Sequence, residues 1–156
     1  MSEHDYSYVP TTNADGSLFS EEYYKYDRKH REGDLPALVY YGEGEYVSAA
    51  YYFKDGKQNR EGDKPASCHY YPNGAVAKEF YYKDSLRHRG DDKPAVVYYR
   101  VDGSISEEYY YQNGKRHRDG DKYNDKPAWI EYNEDGSILR KYFYENGTPY
   151  ISEENP

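Results

Sequence analysis

Hydrophobic and polar positions alternate with a period of two in short stretches along most of the chain. The stretches that begin at Ala37, Ala66, Ala95 and Ala128 carry a small or aliphatic residue at their first and third positions and tyrosine at their fifth. The positions between them share no common chemistry. Such alternation predicts β-strands with one packed face. Because no stretch of about ten residues free of Gly and Pro has helical spacing, the chain is predicted to be all-β.

A second predicted strand in each unit carries a run of aromatic residues: Tyr23-Tyr24, Tyr51-Tyr52-Phe53, Phe80-Tyr81-Tyr82, Tyr109-Tyr110-Tyr111 and Tyr142-Phe143-Tyr144. Neighbouring side chains of a strand point to opposite faces, so both faces receive rings. Curling of the sheet covers one face and leaves a tyrosine-rich stripe on the other, a feature typical of partner binding. The alternative is that tyrosine only favours strands. The rings expected on a partner surface are Tyr40, Tyr52, Tyr81, Tyr98, Tyr110, Trp129 and Phe143.

Turn signals divide the strands at regular places. One set lies at Gly16, Gly44, Gly74, Gly103 and Gly136, and a second at Asp55-Gly56, Asn113-Gly114 and Asn146-Gly147, with Tyr26-Asp27 and Asp84-Ser85 as poorer versions. Asn-Gly and Asp-Gly tolerate positive φ and join two strands tightly. Each unit is therefore predicted to be a hairpin followed by a longer loop.

The longer loops repeat the pattern His-Arg, Gly-Asp, Pro-Ala, and Pro36, Pro65 and Pro94 stand 29 residues apart. A fixed period in this range predicts a stacked repeat architecture. We expect an open, curled antiparallel β-meander or solenoid of about four to five stacked hairpins. Residues 15–150 form the predicted array, residues 1–14 a tail or first partial strand, and residues 151–156 a C-terminal tail.

The loop residues invite two interpretations. Three histidines could suggest a metal or catalytic site, but equivalent residues two strands apart are roughly 9 to 10 Å from each other, too far to share one ion. The favoured interpretation is structural: each His-Arg pair caps its loop, and the arginines bond to carbonyls or to aspartates. The residues concerned are His30, Arg31, Asp34, Arg60, Asp63, His88, Arg89, Asp92, His117, Arg118 and Asp125.

Composition changes the expected core. The mean hydropathy of −1.30 is typical of disorder, but the 24 tyrosines can bury rings while their hydroxyls stay in water. A shallow aromatic core is therefore predicted. Cys68 is the only cysteine and falls in a core column, so it is interpreted as a structural thiol with no disulfide partner in the chain.

Charge narrows the partners. A net charge of −8 disfavours binding to nucleic acid and to anionic membranes, because like charges repel. Basic residues concentrate near the long loops, but loop aspartates partly neutralise them, so phosphate or lipid headgroup binding is the weaker alternative. The first residues lack a secretory signal and no apolar run could span a bilayer, so we expect a cytoplasmic location, or the virion if the protein is viral. No cofactor is expected.

The order of Asn113-Gly114-Lys115, His117-Arg118 and Pro127-Ala128 resembles the MORN-like repeats of the YwqK type, and repeat proteins of Marseillevirus-type giant viruses. The resemblance covers about residues 15 to 150. It implies an elongated curled sheet with a role in scaffolding and protein interaction, and in bacteria an antitoxin role. Asn59 departs from the pattern where histidine is expected, and the last unit has Thr148-Pro149-Tyr150 without His-Arg, which suggests a terminal cap.

These observations favour a non-enzymatic scaffold that binds a protein partner through a tyrosine-rich sheet surface, as a structural or virion-associated component. The alternative is a bacterial antitoxin or immunity protein that neutralises a toxin. A linear stack also leaves two sheet edges. The aromatic strand from Arg140 to Tyr144 has no proline, so we expect a homodimer through a terminal edge, more readily the C-terminal one.

Overall fold

The structure is a computed structural model that describes residues 5–120 and 126–150, and within them the chain is all-β, as the periodicity predicts. No helix there is long and apolar enough to cross a membrane. The strands of these residues are β1 (Tyr6–Thr12), β2 (Leu18–Lys25), β3 (Arg28–Lys29), β4 (Leu38–Tyr41), β5 (Val47–Tyr51), β6 (Phe53–Lys54), β7 (Lys57–Gln58), β8 (Ser67–Tyr70), β9 (Val76–Phe80), β10 (Tyr82–Lys83), β11 (Leu86–Arg87), β12 (Val96–Tyr99), β13 (Ile105–Tyr109), β14 (Tyr111–Gln112), β15 (Lys115–Arg116), β16 (Trp129–Tyr132), β17 (Ile138–Glu145) and β18 (Thr148–Tyr150).

One large antiparallel sheet runs through the described chain. Its order is β1-β2-β4-β5-β8-β9-β12-β13-β16-β17-β18, and β3 pairs with β2. Three small two-stranded sheets, β6-β7, β10-β11 and β14-β15, stand outside this order. Strands follow one another in the sheet as they do in the sequence, so the fold is an open meander of hairpins. Residues 6–12, which the sequence left as a tail or first strand, form a strand of this sheet.

The molecule divides into five units among the described residues: β1–β3, β4–β7, β8–β11, β12–β15 and β16–β18. In the three middle units one tyrosine, Tyr52, Tyr81 or Tyr110, interrupts the second strand. Its N–H donates to the alanine carbonyl of the next unit, and its carbonyl accepts from the short hairpin of its own unit, as Tyr81 does with Ala95 (2.8 Å) and His88 (3.1 Å). At this residue the chain leaves the large sheet for the small one.

The short hairpins turn through two residues with positive φ. Asn113 and Gly114 have φ of 49° and 80°, as the Asn-Gly signal predicts. Tyr26 and Asp27 adopt the same left-handed pair, with φ of 48° and 59°, although neither is glycine. L-residues are strained in this region, so this turn is the less favourable version of the same design.

The core lies on both faces of the sheet. The alanines of the Pro-Ala pairs are fully buried, and Val39, Cys68, Val97 and Ile130 are buried on the same face. The alternate positions Leu38, Ser67 and Val96 are buried as well. The expectation of a single packed face is therefore incomplete, because the long loops cover one face and the side chains of the short hairpins cover part of the other. Burial raises the pKa of the Cys68 thiol.

Candidate protein-interaction surface

The aromatic residues of the second strands are sorted to opposite faces by the pairing of β4 and β5. Tyr51 pairs with Leu38, so both side chains lie on one face, and Ala50 pairs with Val39 on the other. Tyr52, the next residue after Tyr51, falls on the Val39 face. The same sorting recurs in later units and produces two separate sets of rings.

The first set forms a continuous row of rings across the sheet, which we call the aromatic ladder. Neighbouring centroids lie 4.1 to 6.2 Å apart, so each ring contacts the next. Its end member Phe19 is exposed and the others are half-buried. In the described residues the ladder comprises Phe19, Tyr40, Tyr51, His69, Phe80, Tyr98, Tyr109, Trp129 and Tyr142.

Charged side chains flank the ladder. The Lys78 ammonium lies 4.7 Å from the Tyr98 centroid, and the Arg116 guanidinium lies 5.2 Å from the Trp129 centroid. Glu107 accepts hydrogen bonds from the Tyr109 hydroxyl and from Trp129 Nε1, the latter at 3.2 Å. These contacts fix the rings in place, so the ladder presents a rigid, half-apolar surface.

The predicted partner surface needs a correction, because it mixes the two sets of rings. Tyr40, Tyr98 and Trp129 belong to the ladder. Tyr81, Tyr110 and Phe143 lie on the opposite face and are only 6 to 7% exposed, and half-buried Tyr52 shares that face. Arginines from the long loops cover three of these rings: guanidinium carbons lie 3.7, 3.6 and 3.8 Å from the centroids of Tyr52, Tyr81 and Tyr110. Phe143 instead packs against Tyr150, with 6.0 Å between the ring centroids.

Tyrosine hydroxyls on the loop-covered face share carboxylates that the sequence analysis did not identify. Glu79 accepts from Tyr81 at 3.1 Å and from Tyr99 at 2.9 Å. Burial and then the nearby Glu79 raise the pKa of Tyr81 to about 12. Glu108 likewise accepts hydrogen bonds from the hydroxyls of Tyr110 and Tyr132. These four hydroxyls are thus paired within the fold.

Each long loop is tied to the loop before it by an arginine. Arg89 donates from Nε and Nη2 to both carboxylate oxygens of Asp63, at 2.6 and 3.0 Å, and from Nη1 to Pro94 O at 3.3 Å. Arg60 does the same with Asp34, and Arg118 with Asp92. The carbonyl contacts lie within each arginine's own loop as expected. The aspartate belongs to the preceding unit and not to the arginine's own loop. Asp125 lies outside the described residues.

A lysine completes each ion pair. Lys126 Nζ lies 2.9 Å from Asp92, and Lys64 and Lys93 contact Asp34 and Asp63 at 2.6 and 2.7 Å. The Arg118 hydrogen bond and Lys126 together lower the pKa of Asp92 to about 2. Arginine and lysine likewise hold the pKa of Asp34 and Asp63 well below the usual range.

The histidines join units through backbone contacts. His30 Nδ1 accepts the Asp55 N–H at 3.0 Å, and His88 and His117 accept from Asn113 and Asn146 at 3.3 Å. Each acceptor thus holds the short turn of the following unit. In the unit with Asn59 in place of histidine, Ser85 Oγ accepts from Gln58 N at 3.1 Å. Within the described ranges, no group of three His, Cys, Asp or Glu side chains could hold a metal ion.

The ladder is therefore a continuous row of rings that the contacts between units leave half-exposed. The histidines, arginines and aspartates of the long loops instead form contacts between units. Comparisons with known proteins add no family: no family model matches the chain, and no curated protein matches its sequence.

Proposed function

We propose that this protein is a non-enzymatic scaffold that binds another protein through the aromatic ladder. The observation that carries the proposal is the unbroken row of half-exposed rings that crosses the large sheet from Phe19 to Tyr142. Tyrosine, tryptophan and arginine are the side chains most enriched in protein interfaces. Rings that are already fixed lose little conformational freedom when a partner binds.

The charges beside the ladder indicate the kind of surface that fits it. Lys78, Arg87 and Arg116 contact ladder rings through their cationic groups. A partner with apolar or aromatic side chains and a few carboxylates would complement both features.

A structural role in a virus particle, which the family resemblance implies, stays a prediction, and mass spectrometry of purified particles tests it.

The proposal can be tested by photo-crosslinking. A photoreactive phenylalanine analogue at Tyr40 or Tyr98 should crosslink to a specific protein in the native cell, whereas the same analogue at Tyr26, 65% exposed in a distant turn, should not. Equal capture of the same proteins at Tyr26 would contradict the proposal.

The captured protein can then be titrated in purified form. Trp129 is the only tryptophan of the chain and stands within the ladder, so its fluorescence reports binding there directly. The Tyr40→Thr and Tyr98→Thr double variant keeps strand-forming residues but removes two rings. Binding should fall by at least about tenfold, the effect of 1.4 kcal/mol, and unchanged binding would remove the ladder from the site.

A further inference from the structure

Arg31 is held in the same position as the three arginines that tie the loops together. Its Nη1 donates to Pro36 O at 3.3 Å, and its guanidinium carbon lies 3.6 Å from the Tyr23 centroid. In Arg89 the corresponding distances are 3.3 and 3.6 Å. Two contacts therefore fix the guanidinium plane of Arg31 and direct its Nε and Nη2 edge as in the other units.

That edge is where the other units bind a carboxylate. The Nε distances to the aspartates are 2.6 to 2.7 Å in Arg60, Arg89 and Arg118, and the Nη2 distances are 3.0 to 3.1 Å. Among the described residues, which begin at Asp5, no long loop comes before β1, and no carboxylate forms an ion pair with Arg31. A guanidinium edge of fixed geometry is suited to bidentate binding of a carboxylate.

The cleft beside Arg31 is open to solvent. The corresponding clefts between later units have volumes of about 240 and 170 Å³, and the preceding loop forms one wall of each. The cleft of the first unit has a volume of about 340 Å³. Strand β1 contributes Tyr6 and Tyr8 to its lining, together with Tyr23, Tyr24 and Arg31. None of the lining residues comes from a long loop of another unit, so this side of the cleft has room for a loop of another chain.

Two residues near Arg31, Glu32 and Leu35, determine which ligand the cleft can accept. Glu32 beside Arg31 is engaged by Lys25 at 3.2 Å, and its counterpart Glu61, bound by Lys54, does not prevent Arg60 from holding Asp34. Leu35, 47% exposed, stands where the later units have the lysine that contacts the aspartate. The first unit thus offers one cation with an apolar neighbour rather than two cations.

We propose that Arg31 and its cleft bind the aspartate of a Gly-Asp turn on a different protein. The template is the turn that Arg60 already holds, in which Gly33 and Asp34 both have positive φ. A second copy of this chain is the less suitable source, because Asp34, Asp63 and Asp92 of its described loops are already paired with its own arginines. This site is separate from the aromatic ladder and does not depend on it.

The test uses a peptide with the sequence of residues 32–37, Glu-Gly-Asp-Leu-Pro-Ala, blocked at both ends. The peptide is titrated into ¹⁵N-labelled full-length protein while the Nε–Hε signals of the arginines are followed. The Arg31 signal should shift with peptide concentration, and the signals of Arg60, Arg89 and Arg118 should not. The peptide with asparagine in place of aspartate should bind at least about tenfold more weakly, because it cannot form the charged bidentate pair.

Matched variants separate geometry from charge. Arg31→Lys keeps the charge but loses the fork, and should weaken peptide binding about tenfold. Arg28→Lys, an exposed change in the same unit, should leave binding unchanged. Leu35→Lys restores the lysine of the later units and should tighten it. Equal binding of both peptides, or no shift of Arg31 at millimolar peptide, would overturn the proposal, and so would self-association of the protein that Arg31→Lys abolishes.

Discussion

Arg89 binds both carboxylate oxygens of Asp63, a residue 26 positions earlier in the chain. The guanidinium of Arg89 also stacks on the ring of Tyr81. The arginine therefore closes its own loop, holds the preceding loop and covers a ring of the core at once. Stability in a repeat protein depends on such contacts between neighbouring units as much as on each unit alone.

We expect Arg89→Ala to lower the free energy of unfolding by about 2 to 3 kcal/mol, because it removes the bidentate bond to Asp63, a cation–π contact over buried Tyr81 and a hydrogen bond to Pro94 O. Urea unfolding followed by circular dichroism measures the loss. Arg31→Ala is the matched control, since it lacks only the aspartate contact, and should cost less. Equal losses in the two variants would show that the bond between loops contributes nothing.

The same ion pairs predict sensitivity to acid. The folded-state pKa of Asp92 is about 2, below the value of roughly 3.9 in an unfolded chain. A depressed pKa contributes stability that is fully present above about pH 4 and is lost as the pH falls towards 2. We expect the melting temperature to fall across this range, and less steeply in Asp92→Asn. A variant that keeps the full slope would show that other carboxylates cause it.

The strands and turns follow from local patterns in the sequence, because period-two alternation and Asn-Gly turns act over a few residues. The pairing of Arg89 with Asp63 does not follow from a local pattern, because the repeat places an equivalent aspartate, Asp92, in the arginine's own loop. Only the packing of one loop against the next decides between them.

Which aromatic residue of each run lies under a long loop could not be predicted from the sequence for a similar reason. Tyr51 and Tyr52 are chemically identical neighbours, and only Tyr52 is covered by a long-loop arginine, Arg60. A signal does exist, because the covered tyrosine precedes the loop arginine by eight residues in every such unit, as Tyr52 precedes Arg60. That constant separation marks the covered ring and, by exclusion, the ladder.

The first short turn offers a stabilising substitution. Asp27 has a φ of 59°, in the region that favours glycine. Asp27→Gly should raise the free energy of unfolding by about 1 kcal/mol by relieving this strain. The reverse change, Gly56→Asp in the second unit, should lower it similarly, because the added Cβ meets only ordinary contacts and the cost comes from φ. Thermal melts of both variants measure the pair of effects, and a loss of stability in Asp27→Gly would contradict the strain argument.

The C-terminal edge of the sheet is suited to self-association. Within the part of the chain that the structure describes, β17 pairs from Ile138 to Tyr142 only with β16, and β18 covers it only from Phe143 onward. Ala128 N donates to Tyr142 O at 2.9 Å, so alternation directs the N–H and C=O of Lys141 away from β16. Unpaired groups of this kind are a template for a second strand, and exposed Ile138 and Leu139 lie beside them.

We therefore expect an antiparallel homodimer in which the β17 strands of two copies pair. Lys141→Pro removes an outward N–H without removing a hydrogen bond to β16, and should convert the dimer to a folded monomer. Lys141→Thr is the control, because it removes the charge but keeps the N–H, and should remain dimeric. Light scattering over a concentration series distinguishes the two forms, and circular dichroism checks that each variant is folded. A wild-type chain that stays monomeric at millimolar concentration would show that this edge does not pair.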